Sequence, residues 1–234
     1  MSDPIFLENV RVSFPHLREP HAAKPTAKPK YQVDLLMPDS HPGWAAIMQA
    51  VNNAAVQRYG EHAQQMLNII NQDRMKRCYG GGNEKINKKT MAPYEGYAGM
   101  MYIAPKNVSR PQIIKANGST VNSSNDMEYM AEVGKIYGGC YVNAAVDIYT
   151  SKENDGIFGG LIALQFLKDG ESFGDAAPDA SGMFGAVQSA PAGTGPSPAG
   201  SFNPQPTATP APADPGMPAA PFGQPKMPDF MGGS

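Results

Sequence analysis

Alternation of apolar and polar residues predicts short β-strands in the first part of the chain. Residues 5–14 predict a strand with one face formed by Phe6, Val10, Val12 and Phe14. Residues 31–37 predict a second strand, which carries on one side Tyr31, Val33, Leu35 and Met37. The three prolines between them indicate an extended loop over residues 16–29.

The period of the pattern changes after the second strand. Residues 42–59 predict a helix because apolar side chains recur at helical spacing, at Trp44, Ile47, Met48, Val51, Ala55 and Tyr59. Ser40 or His41 is expected to begin this helix, and Gly60 is expected to end it. A second, shorter helix is predicted over residues 61–73.

The remainder of the chain returns to strand patterns. Residues 74–90 are basic and interrupted by glycine, which indicates a loop or a mobile hairpin. Strands are predicted at 97–104, 112–115, 138–149 and 157–167, with a turn at Asn154–Gly156 before the last one. The clearest of them alternates an aliphatic face (Cys140, Val142, Ala144, Val146, Ile148) with a second face (Tyr141, Asn143, Ala145, Asp147, Tyr149).

This order of elements predicts a mainly β fold with a helical insertion. Many short strands around one helical excursion favour a small closed barrel of the OB type over a parallel α/β sheet. An open α+β sheet is the alternative that the pattern leaves. A closed barrel would present the aromatic and polar face of strand 138–149 outward.

Composition divides the chain into a domain, residues 1–174, and a tail, residues 175–234. The tail contains no Ile, Leu, Tyr or Trp but holds thirteen of the 23 prolines. Such a segment cannot bury enough apolar surface to offset its ordering entropy, so we expect a disordered, Pro/Gly/Ala-rich tail. The tail carries a net charge of −3, whereas the domain carries +1.

Basic residues and tyrosines are concentrated between Arg74 and Lys115. Nine basic residues stand there against two acidic ones, Glu84 and Glu95, and four tyrosines are interleaved with them. Binding of single-stranded nucleic acid uses both kinds of residue, since cations contact the phosphates while aromatic faces stack on the bases. The alternative is a solvated loop beside tyrosines that belong to the core.

The residues that we predict to contact DNA carry either a cation or a phenol ring. They are Arg11, Lys30, Arg77, Tyr79, Lys85, Lys88, Lys89, Tyr94, Tyr102, Lys106, Arg110, Tyr141 and Tyr149. Near the end of the tail, Asp229 and Phe230 form a possible docking tip for replication or recombination proteins. The same acidic tail is expected to compete weakly with DNA, or else to act as a plain linker.

Other chemistry finds little support in the sequence. The four histidines are scattered, and none stands at zinc-ligand spacing from Cys78 or Cys140, which favour reduced thiols. The glycines at 80–82 lack the phosphate-loop pattern. We therefore expect no enzyme, cofactor or metal. The first residues show no signal peptide and no stretch is apolar over the length of a bilayer, so we expect a cytoplasmic protein.

Four stretches of the chain resemble a family of tailed-phage single-stranded DNA-binding proteins. They are the opening strand running into FPHL, KYQVDLLMP at 30–38, YAGMMYIAPKNVSRPQII at 97–114 and the most specific one, YGGCYVNA through KDGESFG, at 137–174. The resemblance implies an OB fold, binding of single-stranded DNA without strong sequence preference, and a role in phage DNA replication or recombination. In the host cell such a protein would act in the cytoplasm. Residues 74–90 are more basic and richer in glycine than this likeness leads us to expect.

Two other functions stay open at this point. A single-strand annealing protein or recombination mediator would use the same surface to accelerate the pairing of complementary strands. A phage structural or scaffold protein would use the Pro-rich tail as a spacer and would show no salt-sensitive binding to oligonucleotides.

Overall fold

The computed structural model describes most of the predicted domain. The described residues are 3–22, 25–122, 124–151 and 153–174, and all of them belong to one compact unit. Residues 175–234, with the docking residues Asp229 and Phe230, lie outside the described residues. Within the described part, no helix has the length and apolar character needed to cross a membrane.

The described residues form strands and helices in the order β1 to β2, α1 to α2, β3 to β6, α3, and β7 to β8. Their bounds are β1 Ile5–His21, β2 Lys30–Met37, α1 Pro42–Tyr59, α2 Ala63–Gln72, β3 Tyr79–Gly81, β4 Met101–Ile103, β5 Lys106–Asn107, β6 Gln112–Ile114, α3 Asp126–Val133, β7 Tyr141–Thr150 and β8 Ile157–Lys168. Short 3-10 turns lie at Gly60–His62, Arg74–Lys76 and Gly82–Glu84.

The strand pairings form a circuit that returns to its starting strand. β1 pairs antiparallel with β2 and with β7, and β7 pairs antiparallel with β8. β8 then runs parallel to β5, and β5 pairs antiparallel with β2. β6 adds to β8, whereas β4 and β3 extend outward from β2. This is the mainly β, OB-like architecture with a helical insertion that the sequence predicted.

Strand β1 is irregular, and its predicted face is wrong for Phe6 and Phe14, although Val10 and Val12 share a face as predicted. Leu7, Val10 and Val12 are fully buried, whereas Phe6 and Phe14 are 63% and 44% exposed. One cause is a register shift in the pairing with β7 between Leu7 and Val10, where Asn9 has a φ of 52°, so Phe6 faces outward whereas Val10 and Val12 are buried. A second shift, in the pairing with β2 between Ser13 and His16, includes Phe14 at a φ of 45° and turns its ring outward, because a one-residue slip moves the following side chain to the other face.

Helix α1 has the predicted bounds and closes one side of the barrel core. His41 caps it, since its Nδ1 atom accepts a hydrogen bond from the Gly43 amide at 3.0 Å. Ile47 and Val51 are buried on the side that packs against β1 and β7. Gly60 ends the helix at a φ of 56°, a left-handed conformation that glycine adopts without steric cost.

Strand β2 is buried on both faces, although alternation suggests only one. Every residue from Val33 to Met37 is buried. Its outer side is covered by Tyr97 and Tyr102, which form a small second core with Leu36. The chain between β3 and β4 therefore folds across the barrel wall rather than projecting as a simple loop.

Several short elements differ from the sequence expectations. β1 extends to His21, inside the predicted loop, because it continues to pair with β2 as far as Lys30. The predicted strand over 97–104 is ordered as β4 only at Met101–Ile103, while β3 and β5 were not predicted. Helix α3 was also missed; Asn125 caps its first residue, Asp126, and the Asn125 side chain accepts a hydrogen bond from the Glu128 amide at 3.2 Å.

Candidate nucleic-acid interface

A cleft of about 610 Å³ opens where the ends of several strands meet. We call it the basic cleft, and its lining residues are Lys30, Arg74, Met75, Arg77, Cys78, Lys85, Tyr102, Ala104, Lys106, Tyr149, Phe158 and Gly159. A smaller space of about 190 Å³, the flanking groove, shares Lys30, Lys106 and Tyr149 with it and is also lined by Asp147. Together they form a surface along the barrel wall that bears both cations and aromatic rings.

Backbone contacts fix the wall of the basic cleft to the barrel. The segment before β3 runs beside the start of β8, where the Cys78 amide donates to the Ile157 carbonyl at 3.0 Å. On its other side the Ala104 amide donates to the Cys78 carbonyl at 2.6 Å. These bonds bring Arg77, which is far from β8 in sequence, to the same cleft as Phe158.

The cations of the basic cleft fall into two groups. Among its described lining residues five are basic and none is acidic. Two of the five are paired with carboxylates from outside the lining: Lys85 with Asp34 at 2.7 Å and Arg77 with Glu84 at 2.5 Å. For the other three, no ion pair is found within the described residues; they are Lys30, Arg74 and Lys106.

Burial and neighbouring charges both act on Lys106. Its pKa lies below the ordinary lysine value, chiefly because the surrounding protein desolvates the ammonium, and the nearby Lys85 and Lys30 lower it further. Asp34 opposes this shift in part. A phosphate placed among these lysines would relieve their mutual repulsion, which makes this end of the cleft a favourable place for a backbone anion.

An aromatic pair also lines the cleft. Tyr149 at the end of β7 lies across from Phe158 on β8, with ring centroids 6.0 Å apart and planes inclined by 35°. Tyr149 is 40% exposed, so part of its ring is available to a ligand. Burial raises the pKa of Tyr149, so its hydroxyl stays protonated at neutral pH.

A hydrogen-bonded cluster beneath the cleft holds Lys85 in place. Asp34, only 9% exposed, accepts hydrogen bonds from Lys85 Nζ at 2.7 Å and from the Tyr97 hydroxyl at 2.6 Å. The ammonium of Lys85 then lies 4.5 Å from the ring centroid of Tyr102. Burial and the neighbouring Asp34 carboxylate raise the pKa of Tyr97, which keeps its phenol as a donor.

The chain is similar to known phage proteins over most of its length. A family model described as the ssDNA-binding protein of Enterobacter phage Enc34 matches residues 3–192. The chain belongs to this Enc34 ssDNA-binding family. The family resemblance expected from the sequence is thereby confirmed.

One phage relative and two solved structures are also similar to this Enc34 family member. Putative protein p50 of Acyrthosiphon pisum secondary endosymbiont phage 1 is 31% identical over 172 residues, which are 72% of this chain and 85% of that protein. The solved structure of the bacteriophage Enc34 single-stranded DNA-binding protein in complex with ssDNA has a TM-score of 0.56 at 22% identity, covering 73% of this chain and 89% of that one. The solved structure of a C-terminal truncation of the Enc34 protein has a TM-score of 0.50 at 23% identity, covering 73% of this chain and 88% of that one. These two structures share the fold.

Six of the predicted DNA-contacting residues come together in the basic cleft of this Enc34 family member. They are Lys30, Arg77, Lys85, Tyr102, Lys106 and Tyr149. Tyr102 departs from the expectation of an exposed ring, because only 2% of its surface is accessible. It forms part of the wall beneath Lys85 rather than a platform for bases.

Three predicted residues serve other contacts in the structure. Tyr79 is 4% exposed and its hydroxyl donates to Asn71 at 2.8 Å, so the expectation of an exposed ring is wrong there as well. Arg11 lies 4.2 Å from the ring centroid of Phe173 and donates to the Glu171 carbonyl at 2.7 Å. Tyr94 packs edge-on against another aromatic ring, Phe14, at 5.0 Å.

The remaining predicted residues lie away from the cleft lining. Arg110 pairs with Asp126 and lies 4.8 Å from the ring centroid of Tyr129. Tyr141 is at the far end of β7 from Tyr149, about 26 Å along the strand. Lys88 and Lys89 are exposed in the turn between Ile86 and Pro93. Only part of the predicted DNA-contacting residues therefore converge on one surface.

Sequence reasoning missed Arg74, Met75 and Phe158 as residues of the cleft. Arg74 belongs to the basic stretch but was not among the predicted contacts. Nothing in the sequence marks Met75 as a cleft residue, yet it lines the cleft and is 79% exposed. Phe158 could have been found from the hairpin register, since a turn at residues 154–156 places it across from Tyr149. Cross-strand partners share a face, so an exposed aromatic on β7 predicts a neighbour on β8.

Proposed function

We propose that this chain binds single-stranded DNA along the basic cleft and the flanking groove, in phage DNA replication or recombination. The observation that carries the proposal is the meeting, in one cleft, of three cations with no ion pair among the described residues and a partly exposed aromatic pair, Tyr149 and Phe158. Membership of the Enc34 ssDNA-binding family supports the same ligand.

In this proposal different parts of a strand contact different lining residues. Phosphates would lie near Lys30 and Lys106, which line both spaces and link them. Bases would stack on Tyr149, because an aromatic side chain binds any base through its face. Asp147 in the flanking groove disfavours a phosphate at that point, so the backbone is expected to follow the lysines.

Preference for single strands follows from the same contacts. A duplex hides the faces of its bases, so stacking on Tyr149 is open only to unpaired nucleotides. Neither a lysine–phosphate contact nor a stacked ring distinguishes one base strongly from another. The proposal therefore includes binding without strong sequence preference.

Catalysis does not enter the proposal. Burial raises the pKa of the cleft-lining Cys78 thiol to about 12, so it is protonated at neutral pH and is a poor nucleophile. Among the described residues no cluster of three His, Cys, Asp or Glu side chains is arranged to hold a metal. We propose a non-enzymatic protein that acts on DNA in the host cytoplasm.

A fluorescence anisotropy titration with labelled oligo-dT and with the matching duplex tests the proposal. Measured at about 50 mM and about 200 mM salt, the single strand should bind more tightly and lose affinity steeply with salt, because bound phosphates release counterions. Lys106→Ala should weaken binding, whereas Lys135→Ala, a loss of the same charge beside Glu132 on the surface, should not. Absence of salt-dependent binding would instead support a structural role.

Two further measurements define the limits of the site. Lys88→Ala/Lys89→Ala tests whether the exposed turn extends the site beyond the cleft lining, as the sequence predicted. A strand-annealing assay with complementary oligonucleotides separates simple binding from the recombination-mediator alternative. Simple binding predicts that pairing is not accelerated by the protein.

A further inference from the structure

Arg77 in the wall of the basic cleft has an incomplete set of hydrogen bonds. Its side chain is 9% exposed; Nη1 donates to the Tyr79 carbonyl at 2.7 Å and Nη2 to Glu84 Oε2 at 2.5 Å. The Nε atom is buried and has no partner among the described residues. A buried donor without a partner costs about 1–3 kcal/mol, so this group needs an explanation.

The contact with Glu84 does not satisfy the guanidinium fully. The strongest pairing of an arginine with an oxyanion is bidentate, through two parallel N–H donors such as Nε and Nη2. Here the hydrogen bond to the Glu84 carboxylate comes from Nη2 alone. A phosphate at this position could accept from both atoms, since its oxygens match the fork of the guanidinium.

Glu84 and Asp34 differ in how firmly they are held. The Asp34 side chain is 12% exposed and also bound by Tyr97, which makes it a fixed part of the structure. The Glu84 side chain is 40% exposed, and the hydrogen bond from Arg74 goes to its backbone carbonyl at 2.6 Å. The backbone of Glu84 is therefore anchored while its carboxylate can leave Arg77 for solvent.

The position of Arg77 itself is fixed independently of Glu84. The Tyr79 carbonyl holds Nη1, and Gly80 lies so close to the guanidinium that any side chain there would meet Nη1. Removing the Glu84 carboxylate should therefore leave Arg77 in the cleft wall. The guanidinium would then present Nε and Nη2 to a ligand.

We propose that Arg77 is a phosphate-binding residue of the cleft and that Glu84 occupies the place of a DNA phosphate until the strand displaces it. This inference rests on the proposed function. The backbone phosphate takes Nη2 and the unpartnered Nε, and the released carboxylate turns to solvent. Glu84 thereby lowers affinity for polyanions in general, and only a strand held elsewhere in the cleft competes with it effectively.

Glu84→Gln in the full chain is the principal test, read by oligo-dT anisotropy across salt concentrations. We expect binding to tighten about three- to fivefold, the range of a partly exposed ion pair, and the salt slope to steepen by up to about 0.7, the share of one phosphate on a single strand. Glu132→Gln is the matched control, because it releases Lys135 from an ion pair on α3. It should leave both quantities unchanged.

Arg77→Ala alone and combined with Glu84→Gln completes a double-mutant cycle. Arg77→Ala should weaken binding, and Glu84→Gln should no longer tighten it in that background. Equal effects of Glu84→Gln with and without Arg77 would overturn the inference, as would weaker binding by Glu84→Gln. Lack of any salt-dependent binding by the unaltered chain would instead refute the proposed function.

A second readout does not depend on the Glu84→Gln variant. In a ¹H–¹⁵N spectrum of the native sequence, assigned with Arg77→Lys, the Arg77 Nε–H signal should shift on addition of oligo-dT and exchange more slowly with water. A signal unchanged at saturation would contradict phosphate binding by Arg77 even if Glu84→Gln failed to fold.

Discussion

Removal of the exposed ring of Tyr149 separates stacking from charge in the proposed interface. Tyr149 is 40% exposed, lines both the cleft and the flanking groove, and lies 6.0 Å from Phe158. Stacking of a base on an aromatic side chain is worth about 1–3 kcal/mol. Tyr149→Ala should therefore weaken binding of oligo-dT by about five- to 140-fold.

The salt dependence of the same variant gives the sharper criterion. The ring neutralises no phosphate, so a plot of log affinity against log salt for Tyr149→Ala should lie below the native line and parallel to it. Tyr149→Phe keeps the ring and should stay close to the native affinity. Tyr149→Leu keeps apolar volume without a π-face and should resemble the alanine variant.

Stability must be measured beside binding, since the ring also packs in the protein. Loss of the aromatic pair with Phe158 is expected to cost about 0.5–1.5 kcal/mol of unfolding free energy, which thermal unfolding will report. A folded Tyr149→Ala chain with native affinity would refute the stacking argument. A changed slope with Tyr149→Ala would show that the variant disturbs the cations instead.

Three further predictions follow from the environment of the cleft lysines and from the charge of the tail. Because the pKa of Lys106 is lowered, its ammonium loses its charge at a lower pH than an ordinary lysine does, so affinity for oligo-dT should decline as the pH rises above neutral. Lys106→Arg should flatten that decline; identical pH profiles for the native chain and the variant would count against this role of Lys106. Asp34→Asn weakens the bonds from Lys85 and Tyr97, so denaturant unfolding should show a loss of about 1.5–3 kcal/mol, while native stability would mean that this cluster is dispensable. Deletion of residues 175–234 removes a net charge of −3 and should tighten binding at low salt, whereas unchanged affinity would exclude competition by the tail.

Periodicity predicted the elements that bury one regular face. Helix α1 was predicted to the residue because its apolar positions, its cap at His41 and its stop at Gly60 agree. The β7–β8 hairpin was also predicted closely, since the aliphatic face of β7 is unbroken. Agreement between local signals of this kind is what makes an element predictable.

The elements that failed depend on contacts distant in sequence. The faces of β1 reverse at Asn9 and again at Phe14, because pairing with β7 and with β2 sets an irregularity at each place, which alternation within β1 cannot show. β3 and β5 are two or three residues long and exist only through their partners. Short strands carry too few residues for a period to be read.

The candidate site was predicted in part for the same reason. Charge and tyrosine content pointed to a stretch that supplies much of the cleft lining, but not to which side chains share a surface. Nothing in the sequence distinguishes Tyr79 and Tyr102 from Tyr149, yet tertiary packing buries the first two and leaves Tyr149 partly exposed. Phe158 enters the cleft only through the register of the hairpin.

Photo-crosslinking of an oligo-dT strand that carries 5-iododeoxyuridine tests the central claim most directly. Irradiation of the complex, followed by mass spectrometry of the peptides, reports which aromatic side chains touch the bases. The account predicts crosslinks at Tyr149 and Phe158, lost when excess unlabelled oligo-dT is added. Crosslinks confined to Tyr141 or Tyr94, outside the basic cleft, would show that the strand follows a different surface.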